Sequence, residues 1–168
     1  MELMDFSRTE AVLNELAEEI RRNYREHLMD EGHFTTLGSE VRLVDSIKAE
    51  VTFDGQSFVG TLEMNDYWKY VENDTDPHWP PRGAILNWIQ IKPVVPRPDS
   101  RGRIPKPESL AYLIQRKIAR VGTEGTHDLE KTKDAIIPFY VEKIQAALAE
   151  DLAGYILKFM DEGVVGWE

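Results

Sequence analysis

The sequence contains no cysteine, and this absence excludes several kinds of protein at once. Without thiols, the chain has no disulfide framework, no cysteine nucleophile and no cysteine-ligated zinc. Long apolar runs are also missing, so no stretch approaches the 20 or so apolar residues of a membrane-spanning helix. We therefore expect a protein that is not stabilised by disulfides and does not act in a membrane.

Basic residues are scarce relative to acidic ones. The chain has 20 Lys and Arg against 30 Asp and Glu, which gives a net charge of -10. A protein that coats nucleic acid needs a basic face, so this class is disfavoured. The length of 168 residues and the 42% hydrophobic content are typical of one folded domain. The first ten residues, MELMDFSRTE, lack a secretory signal pattern, and we expect synthesis in the cytosol.

Catalytic motifs are missing as well. The sequence has no GxSxG, no Walker glycine loop, no GxGxxG after a strand and no HExxH. Asp74, Asp76 and His78 offer oxygen and nitrogen ligands at two-residue spacing, but the glycine and glutamate of a calcium loop are absent. We predict a protein that is not an enzyme and uses no metal or cofactor. A small metal-dependent enzyme built on these three residues is the minor alternative.

Helical spacing is clearest near the N-terminus. A capping box, Ser7 followed by Glu10, predicts a helix over about 8–30. Its apolar stripe is formed by Leu13, Leu16, Ala17, Ile20, Tyr24 and Leu28. A β-hairpin is predicted next, because apolar residues alternate over 47–53 and Asp54-Gly55 suits a two-residue type I′ turn. That turn pairs Val51 with Phe58 and Ala49 with Gly60.

The remainder of the chain is predicted to be mainly helical. Residues 66–72 form a short helix or a turn, and a short helix follows Pro81 and ends near Lys92. Another helix is expected over 108–121. Its apolar stripe is formed by Leu110, Leu113, Ile114, Ile118 and Val121. The last helix covers about 128–161 and should be kinked or split at Pro138. Its second piece carries an apolar stripe that suits burial against another subunit, formed by Ile144, Leu148, Leu152, Tyr155, Ile156 and Phe159. These elements predict an α+β fold, in which helices pack a small antiparallel sheet.

A proline-rich basic loop, residues 93–107, differs from everything around it. Residues 92–107 include five cationic side chains and one acidic side chain. The local charge is therefore +4, and the rest of the chain carries -14. We call this stretch, 92–107, the arm. Such an arm suits an acidic surface, either that of a neighbouring subunit or a nucleic-acid backbone. The candidate contact residues are Arg97, Arg101, Arg103 and Lys106.

Several short motifs occur in a characteristic order along residues 9–132. They are Leu43-Val-Asp-Ser-Ile47, Tyr67-Trp-Lys-Tyr-Val-Glu72, His78-Trp-Pro-Pro81, Trp88-Ile89, Ala111-Tyr-Leu-Ile-Gln-Arg-Lys-Ile118 and Gly122-Thr123. In this order the chain resembles the tail-completion proteins of tailed bacteriophages and prophages, a family that includes head–tail joining, neck and minor tail proteins. The chain departs from that pattern at Glu72-Asn-Asp-Thr75 and at His127-Asp-Leu-Glu-Lys-Thr132.

The resemblance implies a structural virion protein with an α+β fold. It implies assembly as a ring, commonly of six copies, around the DNA channel at the head-proximal end of the tail. The partners would be neck, connector or tail-tube proteins, and DNA would pass without sequence readout. Residues 1–132 would form the tail-completion-like domain and 133–168 a C-terminal helical extension. The alternative is a protein-binding module, not an enzyme, that uses the arm.

Overall fold

A computed structural model describes residues 4–30, 42–91, 96–98, 100 and 102–164. They form six helices and one β-hairpin, in the order α1 (Ser7–Asp30), α2 (Leu43–Ser46), β1 (Lys48–Phe53), β2 (Phe58–Glu63), α3 (Trp68–Glu72), α4 (Arg82–Ile91), α5 (Pro107–Val121) and α6 (Asp128–Val164). The predicted α+β fold is confirmed. The described part of the chain divides into two compact units.

The first unit contains described residues 4–27, 47–64 and 128–164. Its core is a cluster of Ile20 from α1 with Ile136 and Tyr140 from α6. Leu62 of the hairpin packs against this cluster. The apolar stripe predicted for α1 therefore does face the core, because Ile20 and Tyr24 are buried.

The hairpin pairs its strands in a register that differs from the prediction. Phe53 lies opposite Phe58 and Val51 opposite Gly60, so the predicted pairing was wrong by two residues. The cause is a longer turn. The Asp54 carboxylate accepts hydrogen bonds from the backbone N–H of Gln56 at 2.8 Å and of Ser57 at 2.7 Å. Four residues, 54–57, therefore connect the strands. A shift of two keeps each side chain on its predicted face.

α6 runs through Pro138 as one helix, so the predicted split does not occur. A proline inside a helix removes one N–H donor and leaves the carbonyl four residues earlier without its partner. Here both Pro138 and Asp134 are exposed. Water can therefore hydrogen-bond to the carbonyl, and the helix continues. The helix also crosses the proposed boundary between residues 132 and 133, which stays a prediction.

The second unit contains described residues 28–30, 42–46 and 65–127 with the gaps given above. Its α4 and α5 pack against each other. The α5 side that is turned inward centres on Ala111 and Gln115, and Gln115 Nε2 donates to the Pro80 carbonyl at 2.8 Å. Two residues predicted for its buried stripe, Leu113 and Val121, are instead exposed.

Two loops of this unit lie against each other. Thr75 and Thr123 form a β-bridge, and their hydroxyl oxygens are 2.6 Å apart. Gly122 has a φ of 74°, and a Cβ there would clash with the Thr75 carbonyl oxygen. A glycine is therefore required at this crossing.

Candidate subunit-contact surfaces

α1 and α6 pair in opposite directions, and this pairing decides which side of α6 is covered. Along α1, the contact residues Thr9, Glu15 and Glu19 meet progressively earlier residues of α6. The matching α6 residues, in that order, are Asp151, Lys143 and Tyr140. Because α1 begins at Ser7, residues 152–164 of α6 extend past its start, over about 20 Å at 1.5 Å per residue.

Asp151 fixes the start of α1 to α6. Its Oδ2 accepts hydrogen bonds from the Thr9 backbone N–H and from Thr9 Oγ1, both at 2.8 Å. Arg8 Nη1 lies 3.6 Å from Asp151 Oδ1. Burial raises the pKa of this carboxyl, but the hydrogen bonds from Thr9 and the nearby Arg8 charge outweigh burial and hold the pKa below its ordinary value. The carboxylate is therefore charged, buried and partnered.

A second polar contact joins the same helices near their middle. The Tyr140 phenol oxygen lies 3.0 Å from Glu15 Oε1 and 2.9 Å from Glu19 Oε2, and it can donate its proton to either. Burial raises the Tyr140 pKa, and the two carboxylates add to the rise. Lys143 Nζ is 3.1 Å from Glu15 Oε1, and its hydrogen bond is the largest cause of a lowered Glu15 pKa. Lys143 of α6 thus points toward α1.

The other side of α6 is apolar and exposed. We call six of its side chains the seam: Ile137, Val141, Leu148, Leu152, Tyr155 and Phe159. Their exposed fractions run from 36% for Tyr155 to 69% for Phe159. At 100° per residue, these six side chains fall on one face of the helix. Every residue from 152 to 161 is exposed. Five of the six side chains of the predicted stripe are therefore exposed in the single chain, and Ile144 is the exception.

Part of this surface was missed by the sequence analysis. The predicted stripe begins at Ile144, which is half-buried on the core cluster, whereas Ile137 and Val141 extend the exposed face toward the start of α6. A signal was present, since Val141, Leu148 and Tyr155 follow one another at seven-residue intervals. The same interval separates Gln145, Leu152 and Phe159.

The described part of the arm presents its cations to solvent. Arg97, Arg103 and Lys106 are exposed, and Ile104 between the last two has 68% of its surface accessible. Lys106 occupies the N-cap position of α5, which begins with Pro107. Arg101 lies outside the described residues, as do 92–95 and 99. The three described cations belong to the second unit and stay candidate contact residues.

α5 adds a cationic face that the sequence analysis did not single out. Arg116, Lys117 and Arg120 line a shallow surface concavity between Leu113 and Val121. These cations make no ion pair with any residue that the structure describes. Their spacing of three and four residues places them on one side of the helix, and this spacing was the signal available in the sequence.

Two of the three candidate metal ligands, Asp74 and His78, make other contacts. Asp74 Oδ1 accepts the Gly125 backbone N–H at 2.8 Å and lies 3.2 Å from His127 Nε2. These two contacts lower the Asp74 pKa, the Gly125 N–H contributing most. His78 Nδ1 lies 2.8 Å from the Asp76 carbonyl oxygen. Within the described residues, no group of three or more acidic, histidine or cysteine side chains is placed to hold a metal ion.

None of the helices in the described ranges is both long enough and apolar enough to cross a membrane. Comparisons with protein-family models, with curated proteins and with solved structures find no match to this chain. The surfaces of the protein and the order of its sequence motifs are therefore the features that indicate a function.

Proposed function

We propose that this protein is a structural virion protein of a tailed phage or prophage, of the tail-completion or head–tail joining type. In this role it acts by assembly and not by catalysis. It forms a ring of about six copies around the DNA channel and contacts neck, connector or tail-tube proteins. The observation that carries the proposal is the exposed apolar side of α6, together with the resemblance in motif order.

The exposed side of α6 favours an assembly role for a physical reason. Soluble monomers rarely expose contiguous apolar patches of this kind, and larger ones mark interaction sites. Burial of each half-exposed seam side chain contributes about 1 kcal/mol to association. Six such side chains on one helix face form an apolar surface that a contact between subunits would bury.

Charge supports a second contact, from the arm to an acidic neighbour. The chain has a net charge of -10, yet Arg97, Arg103 and Lys106 stand exposed together in one segment. Ring contacts join two different patches, so a cationic arm and an acidic body form a complementary pair. The acidic excess also suits the wall of a DNA channel, because like charge keeps the passing duplex from binding.

The first test is the native mass of the full chain across a concentration series, at low and moderate salt. We expect a closed multimer of 19.3 kDa subunits, with six as the leading number. Mass spectrometry of purified particles of the encoding phage or prophage should then find the chain in the tail or neck. A chain that is monomeric throughout and absent from particles would contradict the proposal.

A second candidate function is a protein-binding module, not an enzyme, that uses the arm. The observation that favours it is the exposed Ile104, an apolar anchor between Arg103 and Lys106. Replacement of Arg97, Arg101 and Arg103 by Ser separates the two candidates. If the arm joins subunits, the triple variant loses multimers and their salt dependence. If the arm binds a different protein, the native mass is unchanged.

A further inference from the structure

The seam on α6 has the pattern of a helix-pairing surface. Val141, Leu148 and Tyr155 recur every seven residues, and Leu152 and Phe159 continue a second series at the same interval. Two helices with such series pack side by side, each side chain fitting between those of the partner. The seam spans residues 137–159, or about 33 Å along the helix.

No charge interrupts this surface. From 141 to 159 the charged residues are Glu142, Lys143, Glu150, Asp151 and Lys158. Lys143 contacts Glu15, while Glu150 and Asp151 contact Arg8, so these three face α1. At 100° per residue, Glu142 and Lys158 lie about 100° from the seam's centre, on its two flanks. The partner of the seam must therefore be an equally apolar helix face.

We infer that the seam pairs with the seam of a second copy of this chain, with the two α6 helices antiparallel and Leu148 at the two-fold axis. This inference rests on the assembly role proposed above, but not on a ring. In this register Ile137 faces Phe159 of the other copy and Val141 faces Tyr155. Each large aromatic side chain meets a smaller β-branched one, which keeps the two helix axes evenly spaced.

The alternative parallel arrangement fits less well. It places Phe159 against Phe159 and Val141 against Val141, so the helices would be far apart at one end and close at the other. Antiparallel helices also align their dipoles favourably. With about 100 Å² from each of six side chains and contributions from the flanks, the pair buries on the order of 800 Å² per copy, the size of a standard stable interface.

A pair made in this way is closed by its own symmetry. It covers the seam, which belongs to the first unit, whereas the arm and the cationic face of α5 belong to the second. A ring then needs a second, different contact between pairs. The pair and the ring can therefore be tested separately.

The absence of cysteine allows a direct test with single-cysteine variants of the full chain. We expect Leu148→Cys to form a disulfide-linked dimer by itself under mild oxidation, because residue 148 faces itself across the axis. Tyr155→Cys alone should stay uncrosslinked, and so should Val141→Cys alone. A mixture of the two should give the covalent dimer. Phe139→Cys is the control, since its exposed side chain lies on another side of α6.

Each outcome decides the inference. If Tyr155→Cys and Val141→Cys each crosslink to themselves as fast as Leu148→Cys does, the two α6 helices pair in parallel and the antiparallel arrangement is wrong. If no seam cysteine crosslinks faster than Phe139→Cys, the seam does not pair with itself and the inference is wrong. Circular dichroism confirms that each variant keeps its helices.

The native mass distinguishes this result from the proposed function. If Leu148→Cys crosslinks but the native mass of the wild-type chain never exceeds that of a dimer, the pair is supported and the ring is contradicted. A large closed multimer in which Leu148→Cys does not crosslink supports the ring and overturns the pair. As a second measurement, Leu148→Glu should reduce the dimer fraction at least tenfold while the helical signal is unchanged.

Discussion

The two sides of α6 carry similar residues but have opposite surroundings. Ile136 and Ile137 are neighbours in sequence, yet Ile136 is 9% exposed in the core cluster and Ile137 is 41% exposed on the seam. Asp151 is buried against Thr9, whereas Asp161 is exposed beyond the start of α1. The difference is that α1 covers one side of the helix only. One side of α6 therefore stabilises the single chain, and the other is available for assembly.

The largest expected difference between the two sides comes from the adjacent isoleucines. Ile136→Ala should lower the free energy of unfolding by about 2–4 kcal/mol, because it leaves a cavity beside Ile20 and Tyr140. Ile137→Ala should change it by less than about 1 kcal/mol. Urea denaturation at a concentration where the chain is monomeric measures both. Equal losses in the two variants would show that the sides do not differ.

The aspartates give the next largest contrast. Asp151→Asn should lower the free energy of unfolding by about 2 kcal/mol. The carboxylate accepts two hydrogen bonds from Thr9 and lies near the Arg8 guanidinium, and the amide lacks its negative charge. Asp161→Asn is the matched control and should cost less than about 0.5 kcal/mol. Thermal or urea unfolding of the two variants tests this. A neutral Asp151→Asn would mean that α1 does not need this carboxylate at its start.

The contribution of the Asp151 carboxylate should also appear in the pH dependence of stability. The pKa of Asp151 in the folded chain is lowered from its ordinary value of 3.8. The stabilisation is therefore present above pH 3.8 and is lost as the pH falls through the lowered value. We expect the stability gap between wild type and Asp151→Asn to be constant from pH 5 to 7 and to shrink in stronger acid. A gap that widens in acid would reverse the sign of the proposed shift.

The smallest effect on the single chain should come from the seam. Leu152→Ala should change monomer stability by less than about 1 kcal/mol, because 41% of the side chain is already exposed. Its effect should appear instead in sedimentation equilibrium, as weaker self-association. Leu157→Ala, on another side of the helix and 63% exposed, is the control for association. If Leu152→Ala lowers monomer stability without weakening self-association, Leu152 belongs to the core side of α6 and not to the seam.

Local patterns predicted the helices and strands well where those elements depend on interactions between residues close together in sequence. The helix spacing of Ile20, Tyr24 and Leu28 located α1 and its buried side. The alternation over 47–53 located β1. The predicted type I′ turn at Asp54-Gly55 was wrong, because Gly55 has a positive φ of 94° but Asp54 does not. The register was wrong because hydrogen bonds to the Asp54 side chain lengthened the turn, and residue types alone do not show which atoms a carboxylate will contact.

For the candidate site, the sequence indicated an apolar side on the last helix and a cationic arm. It did not separate the two apolar sides of α6, because Ile136 and Ile137 satisfy the same helical spacing. It also assigned Leu113 and Val121 to the buried side of α5. The hydrogen bond from Gln115 to the Pro80 carbonyl turns a different side of α5 toward the interior of the unit. Local spacing does not show this contact, because the two residues are 35 positions apart.

The sequence by itself determined the acidic charge, the lack of thiol chemistry, the helices and hairpin and the presence of an apolar stripe on the last helix. These follow from composition and from interactions over a few residues. The tertiary structure alone decided that α1 lies antiparallel to α6, that Asp151 meets Thr9 and that α6 extends past its partner. Those contacts join residues up to 142 positions apart, and their pairing depends on the packing of the whole unit.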